Sequence, residues 1–98
     1  MKGLWLEHQE LTYRKDIPKP EVSPRMALIK TRLGGICATD LEMRRGYYPF
    51  NGVPGHEFVG EVVAAPGYDV WVGRSVVGEI NLTCGHCTAC LAGREHHC

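Results

Sequence analysis

The sequence predicts a mainly β domain of the α+β class, in which many short strands form a partly open β-barrel and short helices connect some of them. Three observations support this prediction. Apolar and polar residues alternate in short runs, glycine or proline recurs between the runs, and only one stretch carries the start and stop signals of a helix. With 98 residues, the chain is long enough for one domain with a small core.

The first predicted element is a β-hairpin. Leu4 and Leu6, then Leu11 and Tyr13, alternate with polar neighbours on either side of residues 8–10. This alternation is typical of two short strands that each bury one face.

Further strands are predicted along the rest of the chain, each bounded by turn residues. A proline-rich stretch, 18–24, favours an extended linker after the hairpin. The predicted strands cover residues 26–33, 58–65 and 76–80. The turn signals near them are Gly34-Gly35, Asn51-Gly52, Pro54-Gly55 and Pro66-Gly67.

One short helix is predicted after the Gly34-Gly35 bend. Residues 39–42 have the Thr-x-x-Glu form of a capping box, in which Thr39 is the N-cap, and Gly46 would end the helix after about two turns. Cys37 then lies at a corner between a strand and a helix.

Composition and charge exclude two classes of partner and favour a cytoplasmic protein. Eleven Lys and Arg balance eleven Asp and Glu, without a block of like charge that would bind nucleic acid or a membrane surface. Glu7 and His8 interrupt the apolar start too early for a signal peptide. No stretch approaches the roughly 20 apolar residues that span a bilayer.

Four of the five cysteines lie within residues 84–98 and predict a structural zinc site. They are Cys84, Cys87, Cys90 and Cys98, spaced C-x2-C-x2-C-x7-C. Four thiolates close a tetrahedral zinc site without leaving an open position. The loop has few apolar residues to offset an ordering cost of ~1–2 kcal/mol per residue, whereas a structural zinc contributes on the order of 10 kcal/mol.

Two other interpretations of the cysteine cluster stay open. Its first three spacings match a bacterial ferredoxin run, but there the fourth cysteine follows after three residues, as against seven here. Free or disulfide-bonded cysteines are the second alternative. His86, His96 and His97 exceed the needs of a four-thiolate site and are expected to be solvated loop residues.

The fifth cysteine, Cys37, suggests a second metal site together with His56 and Glu57. A thiolate, an imidazole and a carboxylate suit a zinc that keeps one position open for chemistry. Taken alone this signal is weak, because a lone cysteine is commonly a small buried hydrophobic residue and a lone histidine a loop residue.

Three motifs occur in an order and spacing that resemble the zinc-containing medium-chain dehydrogenases, the alcohol dehydrogenase family. They are Gly35-Ile36-Cys37-Ala38-Thr39-Asp40, Gly55-His56-Glu57-Phe58-Val59-Gly60 and the cysteine cluster. The resemblance implies that residues 1–98 are the N-terminal part of a GroES-like catalytic domain, with a structural zinc loop at 84–98. The implied activity is the oxidation of an alcohol to an aldehyde or ketone, with hydride transfer to NAD or NADP.

The resemblance also implies roles for individual residues. Cys37 and His56 would hold a catalytic zinc. Glu57 matches a glutamate that is a ligand in some members and stands beside the site in others. That choice stays open, because the third ligand of many members falls outside this chain. Thr39 would pass the substrate proton onward, in addition to or in place of capping the helix, and Asp40 would orient the ligand histidine.

The site for the hydride acceptor is not found in this sequence. None of the twelve glycines has the Gly-x-Gly-x-x-Gly spacing of a dinucleotide-binding turn. The resemblance therefore implies a fragment that binds zinc but is inactive alone, and a full-length homo-oligomer that acts on a small alcohol. The identity of that alcohol is not predicted. The aromatic stretch at residues 47–50 could line the substrate cleft or be a core or subunit contact.

Two non-enzymatic alternatives remain. The barrel of this family resembles the GroES co-chaperonin, and four cysteines also occur in zinc-ribbon modules that bind nucleic acid. The first has no need of the metal motifs, and neutral net charge argues against the second. One departure from the family pattern is Pro66, where a Gly or Ala is usual. It predicts a differently shaped turn after the preceding strand.

Overall fold

The strands of this chain form two separate antiparallel sheets. A computed structural model describes all residues, 1–98. The elements are β1 (Gly3–Glu7), β2 (Glu10–Arg14), β3 (Leu28–Gly34), α1 (Ala38–Arg44), β4 (Phe58–Ala64), β5 (Ser75–Val77) and α2 (Thr88–Leu91), with 3-10 turns at Asp69–Trp71 and Glu95–His97. The predicted mainly β class is confirmed, and the sheets are open. Neither helix has the length and hydropathy needed to cross a membrane.

The predicted hairpin is confirmed as the two-stranded sheet of β1 and β2. Leu6 pairs with Leu11 and Glu7 with Glu10, so His8 and Gln9 form a two-residue turn. Both turn residues have positive φ, 49° and 65°. This is the backbone of a type I′ turn, whose direction of twist matches that of the strands it joins.

The second sheet has the strand order β3-β4-β5, and the predicted bounds of β3 and β5 were wrong. The third strand begins at Leu28, because the amide of Met26 is held in a turn by the Ser23 carbonyl. The fifth strand covers Ser75–Val77 and not 76–80. It stops there because its partner β4 starts at Phe58, whose carbonyl accepts the last cross-strand hydrogen bond, from Gly78.

The turn after β4 shows how the chain accommodates Pro66. The amide of Tyr68 donates to the carbonyl of Ala65 at 2.9 Å, and Gly67 has a φ of +81°. Proline at the second position and a positive-φ glycine at the third are typical of a type II turn. The register of β4 against its neighbours is interrupted only on the β3 side, at two places: one leaves Val63 of β4 unpaired and the other leaves Arg32 of β3 unpaired.

The buried core is small, and half of its residues lie in strands. The buried residues are Leu6, Ile17, Gly60, Val62, Ala65 and Cys90. Of these, only Cys90 lies in the cysteine-rich segment 84–98. Apolar packing therefore holds the sheets, and the cysteine loop needs another source of stability.

Replacing Gly60 by alanine is expected to destabilise the fold by ~1–3 kcal/mol through overpacking. A Cβ at this position in β4 would lie 2.4 Å from Ile29 Cγ2 and 2.9 Å from the Lys30 carbonyl oxygen. The second contact is with backbone and cannot be relieved by a rotamer change. Urea unfolding measures the effect. Ser75→Ala, at an exposed position in the neighbouring strand, is the control, and an equal midpoint for both variants would contradict the prediction.

Candidate metal centres

The pairing of β3 with β4 brings Cys37 close to His56. Gly34 pairs with Phe58, and the amide of Gly35 donates to the Glu57 carbonyl at 2.8 Å. The end of β3 and the start of β4 therefore lie side by side at the same end of the sheet. Cys37 follows β3 there as the N-cap of α1, and His56 lies in the loop that leads into β4.

Cys37 caps the helix, and the prediction that Thr39 is the N-cap was wrong. Cys37 Sγ accepts a hydrogen bond from the Thr39 amide at 3.3 Å, and the Cys37 amide donates one to Asp40 Oδ2 at 2.9 Å. Together these contacts form a capping box two residues earlier than predicted. Glu42 instead pairs with Arg45, one turn further along. Cysteine is not among the usual N-cap residues, so only the Cys-x-x-Asp spacing could have indicated this box.

Three side chains meet at this corner. Cys37 Sγ lies 3.1 Å from His56 Nε2, and His56 Nδ1 lies 3.6 Å from Asp40 Oδ1. The imidazole and the carboxylate are only 18% and 13% exposed. The potential ligand atoms of all three residues lie within 4.8 Å of one another.

The arrangement fits a zinc ligand pair supported by a carboxylate. A tetrahedral zinc separates its sulfur and nitrogen ligands by about 3.6 Å, so small rotations of Cys37 and His56 would admit the ion. Asp40 Oδ1 is buried and has no hydrogen-bond partner, and the facing His56 Nδ1 lies 3.6 Å away. A proton on His56 Nδ1 would satisfy that oxygen and leave the lone pair of Nε2 facing Cys37 Sγ.

Asp40→Asn is expected to weaken metal binding at this corner about 10- to 100-fold. Asparagine can still accept the hydrogen bond from the Cys37 amide, so α1 should stay capped. The negative charge that faces His56 Nδ1 is lost. Competition with a chromophoric zinc chelator measures the affinity, and circular dichroism checks the helix. Affinity equal to wild type would show that Asp40 only caps the helix.

The structure places Thr39 and Glu57 differently. Thr39 is half-buried, and its hydroxyl makes no hydrogen bond within the chain. Glu57 is exposed and lies outside the group formed with Cys37, since its carboxylate turns toward Gly35. A Cβ on Gly35 would lie 2.8 Å from Glu57 Oε2. The proton relay of Thr39 and the ligand role of Glu57 stay predictions.

The four remaining cysteines form a second group at the end of the chain. They are Cys84, Cys87, Cys90 and Cys98, and their sulfurs lie within 4.8 Å of one another. Cys84 Sγ and Cys90 Sγ are 3.9 Å apart. Two sulfur ligands of a tetrahedral zinc lie about 3.8 Å apart, so the group fits one ion. None of the cysteines is in a disulfide, and the three nearby histidines are exposed.

The thiols of this group differ in acidity. Hydrogen bonds from the amides of His86 and Cys87 lower the pKa of Cys84 to about 6. Burial raises the pKa of Cys90 to about 12. Without a cation, the four sulfurs would therefore not all be thiolates at neutral pH. A bound divalent cation supplies the charge that stabilises four thiolates together.

The two tyrosines of the aromatic stretch between the metal motifs are not part of the core, and Phe50 is half-buried. Tyr47 and Tyr48 are 77% and 60% exposed. Of the interpretations left open by the sequence, a cleft wall and a subunit contact remain.

The fold and the two side-chain groups define a class: a β-rich domain with one group of four cysteines and one open corner, formed by Cys37, His56 and Asp40. Residues 23–98 match the alcohol dehydrogenase GroES-like domain. The chain therefore belongs to the family of alcohol dehydrogenase GroES-like domains.

Proteins similar to this chain are found among curated sequences and among solved structures. The chain is 41% identical to an L-threonine 3-dehydrogenase of Chelativorans sp. (strain BNC1), over 99% of this chain and 28% of the relative. It is 44% identical to the L-threonine 3-dehydrogenase of Aeromonas hydrophila, over 100% of this chain and 31% of the relative. The chain thus spans less than a third of the length of these relatives.

Two solved structures share the fold over the whole chain. Alcohol dehydrogenase TADH from Thermus sp. ATN1 superposes with a TM-score of 0.85 and 33% identity, and 30% of its chain is covered. A short chain alcohol dehydrogenase from E. coli CFT073, complexed with the cofactor NADH, superposes with a TM-score of 0.88 and 32% identity, again over 30% of that chain.

Proposed function

We propose that these residues belong to a zinc-dependent oxidoreductase that oxidises an alcohol to an aldehyde or ketone with NAD or NADP. The observation that carries the proposal is the corner where His56 lies between the Cys37 thiol and the Asp40 carboxylate. Its Nε2 and Cys37 Sγ would hold zinc, which supplies Lewis-acid polarisation of an alcohol oxygen when bound. The four-thiolate group would hold a second, structural zinc.

The chain's own residues support a path for the substrate proton. Asp40 favours the tautomer of His56 with the proton on Nδ1, which leaves the lone pair of Nε2 available to a metal ion. The Thr39 hydroxyl is next to Asp40 in the sequence and is not engaged within the chain. A hydroxyl both donates and accepts hydrogen bonds, so Thr39 can take a proton from a bound alcohol while it passes its own to solvent.

L-Threonine is the first substrate to test, and the nucleotide site is proposed to lie outside residues 1–98. Both curated relatives described above are named L-threonine 3-dehydrogenase. No glycine motif of the dinucleotide-binding type is present in these residues. The part of the Chelativorans relative that this chain does not match is more than twice as long as the matched part, and such a site can lie there.

The test has two parts. Residues 1–98 alone should bind two zinc ions per chain by elemental analysis, yet form no NADH or NADPH from L-threonine or simple alcohols. A polypeptide that carries these residues together with a nucleotide-binding domain should form the reduced cofactor, followed at 340 nm. Turnover by residues 1–98 alone would refute the proposed location of the nucleotide site. Absence of bound zinc would refute the metal-dependent function.

A further inference from the structure

The tip of the first hairpin adopts a backbone that its residues do not favour. His8 and Gln9 both have positive φ, at 49° and 65°. Two-residue turns of this type prefer Asn-Gly, because a Cβ crowds the backbone in the left-handed region. Strain of this kind persists where surrounding contacts hold it, and it is often found beside functional sites.

Contacts with a distant loop hold this tip. The amide of His8 donates to Asn51 Oδ1 at 3.2 Å. Leu6 and Gly52 exchange two backbone hydrogen bonds of 2.8 Å each. The Gln9 side chain lies over a glycine further back in the same loop.

That glycine is Gly46, which has a φ of +91°. A Cβ there would lie 2.6 Å from Gln9 Nε2, so the Gln9 amide occupies the space that a larger residue would need. The hairpin tip therefore touches both ends of the segment 46–52.

This segment lies in the sequence between Cys37 and His56, the two proposed ligands at the open corner. Gly46 directly follows Arg45, the C-cap of α1, whose N-cap is Cys37, and Gly52 precedes His56 by four residues. Between residues 48 and 55 the backbone makes no hydrogen bonds except the pair shared by Gly52 and Leu6. The loop thus depends on the hairpin for its position.

We propose that the hairpin tip positions the segment 46–52 and, through it, sets the placement of His56 against Cys37. His8, Gln9 and Asn51 are positioning residues in this account, and none of them contacts the metal corner directly. The inference rests on the proposed function, since it treats Cys37 and His56 as ligands of one ion.

Asn51→Ala and Gln9→Gly test the proposal in the full chain. Two readouts apply: amide hydrogen exchange of residues 47–56, and Co²⁺ affinity followed by the distinct spectra of a one-thiolate and a four-thiolate site. Asn51→Ala should raise exchange in the segment and weaken Co²⁺ at the open corner by about fivefold, the effect of losing one hydrogen bond. The four-thiolate site should be unchanged.

Rescue and control variants separate positioning from general stability. Asn51→Asp retains an oxygen acceptor and should restore both readouts. Thr12→Ala removes a hydroxyl that contacts the Trp5 carbonyl in the same hairpin, away from the loop, and should change neither readout. Gln9→Gly relieves the turn and should leave exchange in residues 3–14 equal or slower, while the segment 47–56 exchanges faster.

Three other results would each overturn one part of the proposal. Unchanged exchange in both variants would overturn the proposed contact role of the tip. Faster exchange with unchanged Co²⁺ affinity would limit that role to structure and overturn positioning of the ligand histidine. If Cys37→Ser binds Co²⁺ as the wild type does, the proposed function fails, and the positioning inference fails with it even when the exchange results agree.

Discussion

Cys90→Ser is expected to remove one zinc ion per chain and to unfold residues 84–98. Cys90 is the only buried residue in that segment, and its sulfur lies 3.9 Å from Cys84 Sγ. A serine hydroxyl is a poor substitute for a thiolate ligand, so the site loses one of its four bonds. Because metal binding supplies the folding energy of such loops, on the order of 10 kcal/mol in small peptides, packing cannot compensate for its loss.

Zinc content and limited proteolysis measure this effect. Elemental analysis should fall by one zinc per chain, and protease cleavage should become rapid within 84–98. His86→Ala is the matched control, because His86 lies between two ligands but has an exposed side chain outside the sulfur group. A Cys90→Ser chain that keeps its zinc, or a control that loses it, would contradict a four-thiolate structural site.

Cys37→Ser is expected to abolish metal binding at the open corner while it preserves α1. Cys37 has two roles in the structure, as N-cap of the helix and as the sulfur facing His56 Nε2. Serine is a preferred N-cap, so the helix keeps its cap. The soft thiolate ligand is lost. Loss of Lewis-acid stabilisation should lower kcat/KM by at least about 1,000-fold, or ~4 kcal/mol.

The comparison of serine with alanine separates the two roles of Cys37. Cys37→Ala should lose the metal and also destabilise the helix by ~1 kcal/mol, through loss of the cap. Circular dichroism and urea unfolding report on the helix, and steady-state reduction of NAD or NADP by the complete enzyme reports on activity. Activity in Cys37→Ser within about tenfold of wild type would exclude zinc chemistry at this corner.

The hairpin and the strand cores were predictable because their signals are local. The alternation of Leu4 and Leu6 with polar residues is enough to predict β1, and Pro66-Gly67 is enough to predict the turn after β4. The ends of β3 and β5 were not predictable, because they depend on partners. β5 stops near the first residue of β4, Phe58, beyond which no partner strand continues, and no property of residues 78–80 reveals this limit.

The two metal groups differ in the same way. The spacing of the four cysteines within 84–98 predicts a cluster from sequence alone, because so short a loop keeps its thiols within reach of one ion. Cys37 and His56 are nineteen residues apart, and their approach needs β3 and β4 to pair in the observed register. For these two residues, family resemblance supplied what spacing alone could not.

The sequence by itself determined the mainly β class, the positions of the turns and the grouping of the four cysteines in residues 84–98. Only the tertiary structure decided that Cys37 and not Thr39 caps the helix, that Asp40 faces His56, and that Glu57 turns toward Gly35. It also decided that the hairpin tip contacts the loop before His56. The Cys37 cap is a local contact, but cysteine is not among the usual N-cap residues, so propensity does not predict it. The other contacts join segments that are distant in sequence and that sheet pairing brings together, and no local propensity records that pairing.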